Sequence, residues 1–419
     1  MIPFVDLAAQ QDRLRSEIEG GIDRVLAHGQ FILGPEVDEL EDRLADYCGA
    51  THCITCANGT DALQIALMAI GVGPGDEVIT VSHSFVATGN AIRQCGAMPV
   101  FVDIEADGYN IDPEAVAQAI TPRTKAIMCV HQIGMPCDLT ALLLIARAHD
   151  LPLIEDAACA IGSEIRVDGQ WGKIGAPHGD IACFSFHPRK VITTGEGGML
   201  TTRNPEYDAK FRLWRQHGMS ISDTARHAAA SVVFESYIER GYNYRMTDIQ
   251  ASVGRVQLGR LDMIVRRRRE IAAHYDAMLA EIEGLSTPFE PDWARSNWQS
   301  YCVRLDPAID QRALMQGLLD QGVTTRRAIM CMHLEPAQAD VELRHSLMRS
   351  EQARDHAILL PLYAQMSDAE VATVVDTLRD EMAKARGAGA SRRKRGTLKI
   401  VATSNADAVR AAQPVREPG

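Results

Sequence analysis

Residues 184–199 read FSFHPRKVITTGEGGM: an apolar strand-like run, then a lysine at 190, then a turn crowded with Thr193, Thr194, Gly195, Gly197 and Gly198. A β-type run fixes the backbone before the lysine, and the glycine turn fixes it after. Lysine in a partly desolvated crevice can lose its proton and attack a carbonyl. The alternative of a phosphate-binding P-loop needs its glycines ahead of the lysine, in the order G-x-x-x-x-G-K-[ST], and no such order occurs.

Outward from this stretch, short β-branched or apolar runs recur between residues 50 and 205: CITC, DEVITVS, MPVFVD, KAIMCV, LPLIED, DIACFSF and GMLTT. Helical patterns lie between them, as in TDALQIALMAI at 60–70 and the stretch 139–148. Seven strands alternating with helices predict an α/β unit with a mostly parallel sheet and helices on both faces. A long amphipathic pattern follows over 247–283, with Thr247 and Asp248 as caps and four arginines, 266–269, read as a solvated face. A smaller α+β unit is expected after EGLSTPFEPDW. The chain thus divides into a large unit over 1–255, a small unit over 256–384 and a basic, proline-tipped tail over 385–419 predicted to be disordered.

With 419 residues the chain can bury large cores, and 46% apolar with 23% charged residues is the composition of a soluble globular protein. Forty-three basic against fifty-five acidic side chains leave a net charge of −12, which argues against a nucleic-acid or anionic-membrane partner. Neither an export signal nor a membrane-spanning apolar run of ~20 residues is apparent, so a cytoplasmic location is expected. The ten cysteines form no regular framework; Cys53 and Cys56 make a C-x-x-C without a second pair, and no metal is expected.

Three groups carry chemistry. Asn58-Gly59-Thr60-Asp61 opens a helix after a strand, where a glycine and free amides suit a phosphate as well as an ordinary cap. Asp156 ends the LPLIED run at the edge where open α/β sheets bind ligands. Lys190 follows the next run, with Ser185 five residues before it. A phosphate cradle, a carboxylate and an amine are the groups that pyridoxal phosphate asks for. A Rossmann dehydrogenase is disfavoured, because no G-x-G-x-x-G follows an early strand.

The motifs NGTDAL (58–63), SFVATG (84–89), EDAACAIG (155–162), FSFHPRKVITTGEGGM and GYNYRMTDIQASVG (241–254) resemble, in this order, the sugar aminotransferases of the DegT/DnrJ/EryC1/StrS family, and within it the perosamine synthase type. The resemblance covers about residues 1–384. It implies a fold-type I, aspartate aminotransferase-like large domain and a homodimer with shared active sites. It further implies that Gly59, Thr60, the Asp61 amide and Ser185 hold the cofactor phosphate, Phe85 stacks on the ring, Asp156 pairs with the ring nitrogen and Lys190 forms the Schiff base. Asn243 would reach the neighbouring subunit's cofactor. Cys159 stands where the family usually has a glutamine that touches the ring hydroxyl, and Ile133 near the place of a common tyrosine. Lys190 is retained, unlike in the family's dehydratase branch, where histidine replaces it. Candidates for substrate contact are His187, Trp298, Tyr301, Arg326, Arg327 and His333. The expected reaction moves an amino group from glutamate or glutamine to a keto group of a nucleotide-linked deoxysugar. A keto-cyclitol acceptor, or a non-catalytic regulatory member, are the alternatives.

Overall fold

The computed structural model describes residues 1–221 and 232–404, with 387–404 as backbone only. All seven predicted runs are strands: β1 (His52–Cys56), β2 (Glu77–Val81), β3 (Met98–Val102), β4 (Thr124–Val130), β5 (Leu153–Asp156), and, after the hairpin strands β6 (Glu164–Val167) and β7 (Gln170–Lys173), β8 (Ile181–Ser185) and β9 (Gly198–Thr202). They form one sheet in the order β1-β9-β8-β5-β4-β2-β3, parallel except for β9, which runs antiparallel to both its neighbours.

Alternation along each strand feeds two cores. Val78, Ala126, Met128, Ile154 and Cys183 pack with the helix Gly59–Ala69, while Ile79, Ile127, Cys129, Ala182 and Phe184 pack on the opposite face with Leu40 and Leu44. Both faces are covered, which is why these strands read as unbroken apolar runs. The same alternation sends Cys53 and Cys56 into different cores, so the C-x-x-C cannot close on one ion.

The smaller unit is an antiparallel sheet, β10 (Leu285–Ser286), β12 (Tyr301–Leu305), β14 (Ala357–Leu360) and β13 (Arg326–Arg327) in that order, backed by the helices Gln311–Asp320 and Asp368–Ser404. Its core holds Tyr275, Leu318, Val323 and Val374. The N-terminus joins it: the Ile2 amide donates to the Gly322 carbonyl at 2.7 Å. The final helix continues through 385–404, part of the stretch read as a tail; residues 405–419 lie outside the described ones.

The predicted long helix is two helices, Asp248–Leu258 and Leu261–Leu279, broken at Gly259-Arg260. Leu261, Ile264 and Val265 pack on the large core and Ile271, Tyr275 and Leu279 on the small one, so this second helix bridges the units. Its arginine run is a solvated face only at Arg266. Arg268 is 3% exposed and donates to the carbonyls of Trp298 and Gln299, Arg269 donates to those of Ser296 and Arg295, and Arg267 to that of Met366. These carbonyls are invisible in the sequence because they belong to segments 26 to 99 residues away. Burial holds the Arg268 guanidinium below its ordinary range, at about 10.

Candidate active site

The site lies where the parallel strands end. β2, β4, β5 and β8 deliver Ser82–Phe85, His131, Asp156 and Ser185 to one edge of the sheet, beside the N-terminus of the helix Gly59–Ala69. Asn58 caps that helix, accepting from the Asp61 amide at 3.0 Å and donating to the Asp61 carboxylate at 2.8 Å. The amides of Gly59 and Thr60 have no partner within the helix, whereas the Asp61 amide, expected to hold a phosphate, is already taken by the Asn58 cap. Burial raises the Asp61 carboxyl to about 6, and Glu196 adds to the rise.

Glycine is required in this corner. A Cβ on Gly59 would stand 2.7 Å from the Ser185 Cβ and 3.3 Å from the Phe184 carbonyl oxygen, and one on Gly198 would collide with the Asn58 carbonyl. The helix therefore begins directly against β8, next to the Ser185 hydroxyl, which accepts from the His187 amide at 3.3 Å. Thr60, Asp61 and Ser185 thus share one corner, as the motif reading placed them.

Asp156 is 4% exposed and has no ion pair among the described residues. One oxygen accepts from the Thr88 hydroxyl at 2.8 Å, itself linked to Ser84 at 3.0 Å, and the other from the Ala158 amide at 3.2 Å. Burial raises its pKa, and Thr88 and the nearby Lys190 charge offset part of that rise. A buried carboxylate with donors but no paired cation is poised for a cationic N–H. Thr88 was overlooked in the sequence although it lies inside SFVATG; nothing in the local pattern ties a helical threonine to a strand 68 residues away.

The neighbouring Glu155 is no partner of Asp156 in metal binding, since adjacent strand residues point to opposite faces. It is fully buried and accepts from His131 Nε2 at 3.0 Å and from the amides of His178 and Gly179 at 3.0 and 2.8 Å. Burial pushes its pKa up, but these donors prevail and hold it below the ordinary carboxylate range. The thiols of Cys129 and Cys137 lie with the His131 ring within 4.8 Å of one another. Both ring nitrogens are engaged, Nδ1 accepting from the Cys137 amide at 3.0 Å, so this group supports Glu155.

Lys190 leaves β8 and extends its amine to Cys159, Nζ to Sγ 3.1 Å. Phe85, at the N-cap of the helix Val86–Gln94, is 61% exposed above the strand ends. His187 is part of the lysine loop, accepting from the Arg189 amide at 3.2 Å, and desolvation lowers its pKa. Asn243 is exposed, its side-chain oxygen held by Arg245 at 2.7 and 3.1 Å, on a segment tied to the end of β1 through the Tyr244 carbonyl.

Of the remaining candidates for substrate contact, His333 reaches the strand ends through Ser82, and the others stand elsewhere. Trp298 is 5% exposed and Tyr301 fully buried; they stack at 5.5 Å in the core of the small unit, and the Tyr301 hydroxyl bonds Asp276. Both were expected at the substrate, but β12 turns Tyr301 inward and the left-handed bend at Trp298 places its ring in the same core. His333 spends Nδ1 on Ser82 at 2.6 Å and Nε2 on Glu351 at 3.1 Å. Arg326 and Arg327 are exposed on the edge strand β13, with Arg326 lying over the Phe4 ring.

Comparison with known proteins agrees with this geometry. Residues 12–379 match the model of the DegT/DnrJ/EryC1/StrS aminotransferase family. The chain is similar to a UDP-2-acetamido-2-deoxy-3-oxo-D-glucuronate aminotransferase of Pseudomonas aeruginosa, 39% identical with 90% of this chain and 99% of the relative aligned. It is also 39% identical to a GDP-perosamine synthase of Caulobacter vibrioides, covering 84% and 90% of the two chains. Its structure resembles that of DesV of S. venezuelae in complex with a ketimine intermediate, with a TM-score of 0.83, 35% identity and coverage of 91% and 98%. Neighbouring structures include forms with pyridoxal phosphate and pyridoxamine phosphate. The chain belongs to the DegT/DnrJ/EryC1/StrS family of pyridoxal phosphate-dependent sugar aminotransferases.

Proposed function

We propose that this transaminase takes an amino group from glutamate or glutamine and delivers it to a keto group on a nucleotide-linked deoxysugar. The observation that carries the reading is Asp156, a buried carboxylate without a cationic partner at the strand edge, with the Lys190 amine near enough to lower its pKa. The cofactor, when bound, supplies an aldehyde for amines and an electron-withdrawing ring for carbanions. Thr60 and Ser185, with the free amides of Gly59 and Thr60, would hold its phosphate, the Asp61 amide joining them only by leaving its Asn58 cap. Asp156, oriented by Thr88, would keep the ring nitrogen protonated, and Phe85 would cover the ring.

Lys190 would be the amine that holds the cofactor's aldehyde, and when free it would serve as the base and acid that moves a proton beside it. Cys159 lies beside that amine in place of an amide side chain. The nucleotide-sugar acceptor rests on the similarity to relatives named for UDP-, GDP- and dTDP-sugar chemistry. Two copies of the chain complete the site, Asn243 of each serving the other, and the enzyme works in the cytoplasm.

The test is a half-reaction. The protein is loaded with pyridoxamine phosphate and offered nucleotide keto-sugars, keto-inositols and simple keto acids, with the return of the visible band followed. Return with a nucleotide keto-sugar supports the proposal. Return with simple keto acids alone refutes the sugar acceptor, and return with keto-inositols alone selects a cyclitol.

A further inference from the structure

Residues 295–300 run from the β6 hairpin of the large unit into the small unit's sheet, and Asn297 and Gln299 donate to the loops that carry Cys159 and Lys190. Arg268 and Arg269 grip this segment through the carbonyls of Trp298 and Ser296, each at 2.9 Å. Trp298 sits in the left-handed region, φ +50°, a conformation a bulky residue adopts only when its surroundings impose it. That bend leaves the tryptophan in the core and the side chains of Asn297 and Gln299 directed at the large unit.

Asn297 is fully buried. Its Nδ2 donates to the carbonyls of Cys159 and Ile161, both at 2.8 Å, its Oδ1 accepts from the Gln299 amide at 2.8 Å, and its own amide donates to Ser163 Oγ at 3.0 Å. Gln299 Nε2 donates to the Arg189 carbonyl at 3.0 Å, one residue before Lys190. Since Lys190 Nζ lies 3.1 Å from Cys159 Sγ, the links close a ring: Lys190, Arg189, Gln299, Asn297, Cys159 and back to Lys190.

We propose that Asn297 and Gln299 are positioning residues that hold the Lys190 loop and the Cys159 loop at a fixed separation, so that the lysine amine is presented from the small unit's side of the site. The inference rests on Lys190 being the amine that binds the cofactor aldehyde. Among the described residues, the backbones of the two loops, which leave β5 and β8, share no hydrogen bond beyond the strand-end contact of the Ala157 amide with the Cys183 carbonyl at 2.8 Å; the splint from the small unit supplies a link.

The test is Gln299→Glu, which keeps the shape but replaces the donor toward the Arg189 carbonyl with an acceptor. Because Gln299 is partly exposed, thermal unfolding should match wild type. Loss of one hydrogen bond of about 1 kcal/mol predicts an approximately fivefold weaker cofactor affinity and slower borohydride trapping of cofactor on Lys190. Turnover should fall while the acceptor KM stays unchanged, and Gln299→Lys, which returns a donor, should recover most of the loss. Asn297→Asp removes two donors and should weaken binding about 25-fold. The proposal is overturned if wild type is trapped at Lys190 but Gln299→Glu shows the same affinity, trapping rate and turnover. If wild type itself carries no trapped cofactor at Lys190, the assignment of the lysine fails first, and the two failures are told apart.

Discussion

Replacing Gly59 with alanine adds one carbon, and the structure specifies where it goes. The new Cβ would lie 2.7 Å from the Ser185 Cβ and 3.3 Å from both the Ser185 hydroxyl and the Phe184 carbonyl oxygen. Carbons rest about 3.5–4.0 Å apart, so one partner must retreat by roughly 1 Å. β8 cannot, because Ser185 is paired with Gly198 on β9, and the opposite strand neighbour β5 holds Cys183. Gly198 in turn leaves no room behind Asn58. The helix N-terminus must therefore shift, carrying its amides with it. Overpacking of this kind costs about 1–3 kcal/mol, offset by up to about 1 kcal/mol from the better helix propensity of alanine. Stability should thus fall by about 0–3 kcal/mol. Cofactor affinity should fall further, about 10- to 100-fold, because misaligned bonds to a charged phosphate are worth about 1.5–3 kcal/mol each. Fluorescence titration of the apoprotein with pyridoxal phosphate, beside its thermal unfolding, separates the two effects. Unchanged affinity together with a raised unfolding temperature would refute the close approach of helix and strand and the phosphate cradle built on it.

Glu155→Gln should destabilise the fold by about 3 kcal/mol at neutral pH, since the buried acceptor of His131 and two amides is replaced by a group that presents its own hydrogens. As the Glu155 pKa is lowered in the fold, its contribution is present above the unfolded value near 4.5 and is lost as pH falls through the folded one, so the variant's acid unfolding should be flatter than wild type's. Glu105 behaves oppositely: burial, with Asp138, Asp112 and Asp107 nearby, raises it to about 7. The native state then holds a proton the unfolded chain has released, so stability falls as pH rises from about 4.5 to 7, and Glu105→Gln should raise the unfolding temperature at pH 8 more than at pH 5. Asp248→Ala should lower stability by about 2 kcal/mol, measured by urea unfolding, because the buried carboxylate caps the helix Pro35–Cys48 through the amides of Gly34, Glu36 and Val37 at 2.9–3.2 Å.

The GYNYRMTDIQ stretch shows how a motif can be recognisable while its physics stays hidden. Thr247 and Gln250 form the capping box that their spacing suggests, but Asp248 serves a helix more than 200 residues earlier. The arginine run likewise looks solvated on a helical projection, and only the arrival of residues 295–299 and of Met366 gives Arg267, Arg268 and Arg269 carbonyls to which they donate.

What the linear chain determined is what depends on short-range periodicity and chemistry. The seven apolar runs specify strands buried on both faces, the glycines beside Asn58 and Lys190 specify close backbone approach, and the order of the runs puts Asp156 and Ser185 at the strand ends. What the tertiary structure decided is which polar group meets which. Thr88 reaching Asp156, Asn297 and Gln299 reaching the loops of Cys159 and Lys190, and Trp298 and Tyr301 turning into a core all depend on contacts made across more than sixty residues or between the two units. Hydrogen bonds act over about 3 Å and leave no periodic trace in the chain that carries them, so their partners become visible only once the sheet has brought distant segments to one edge.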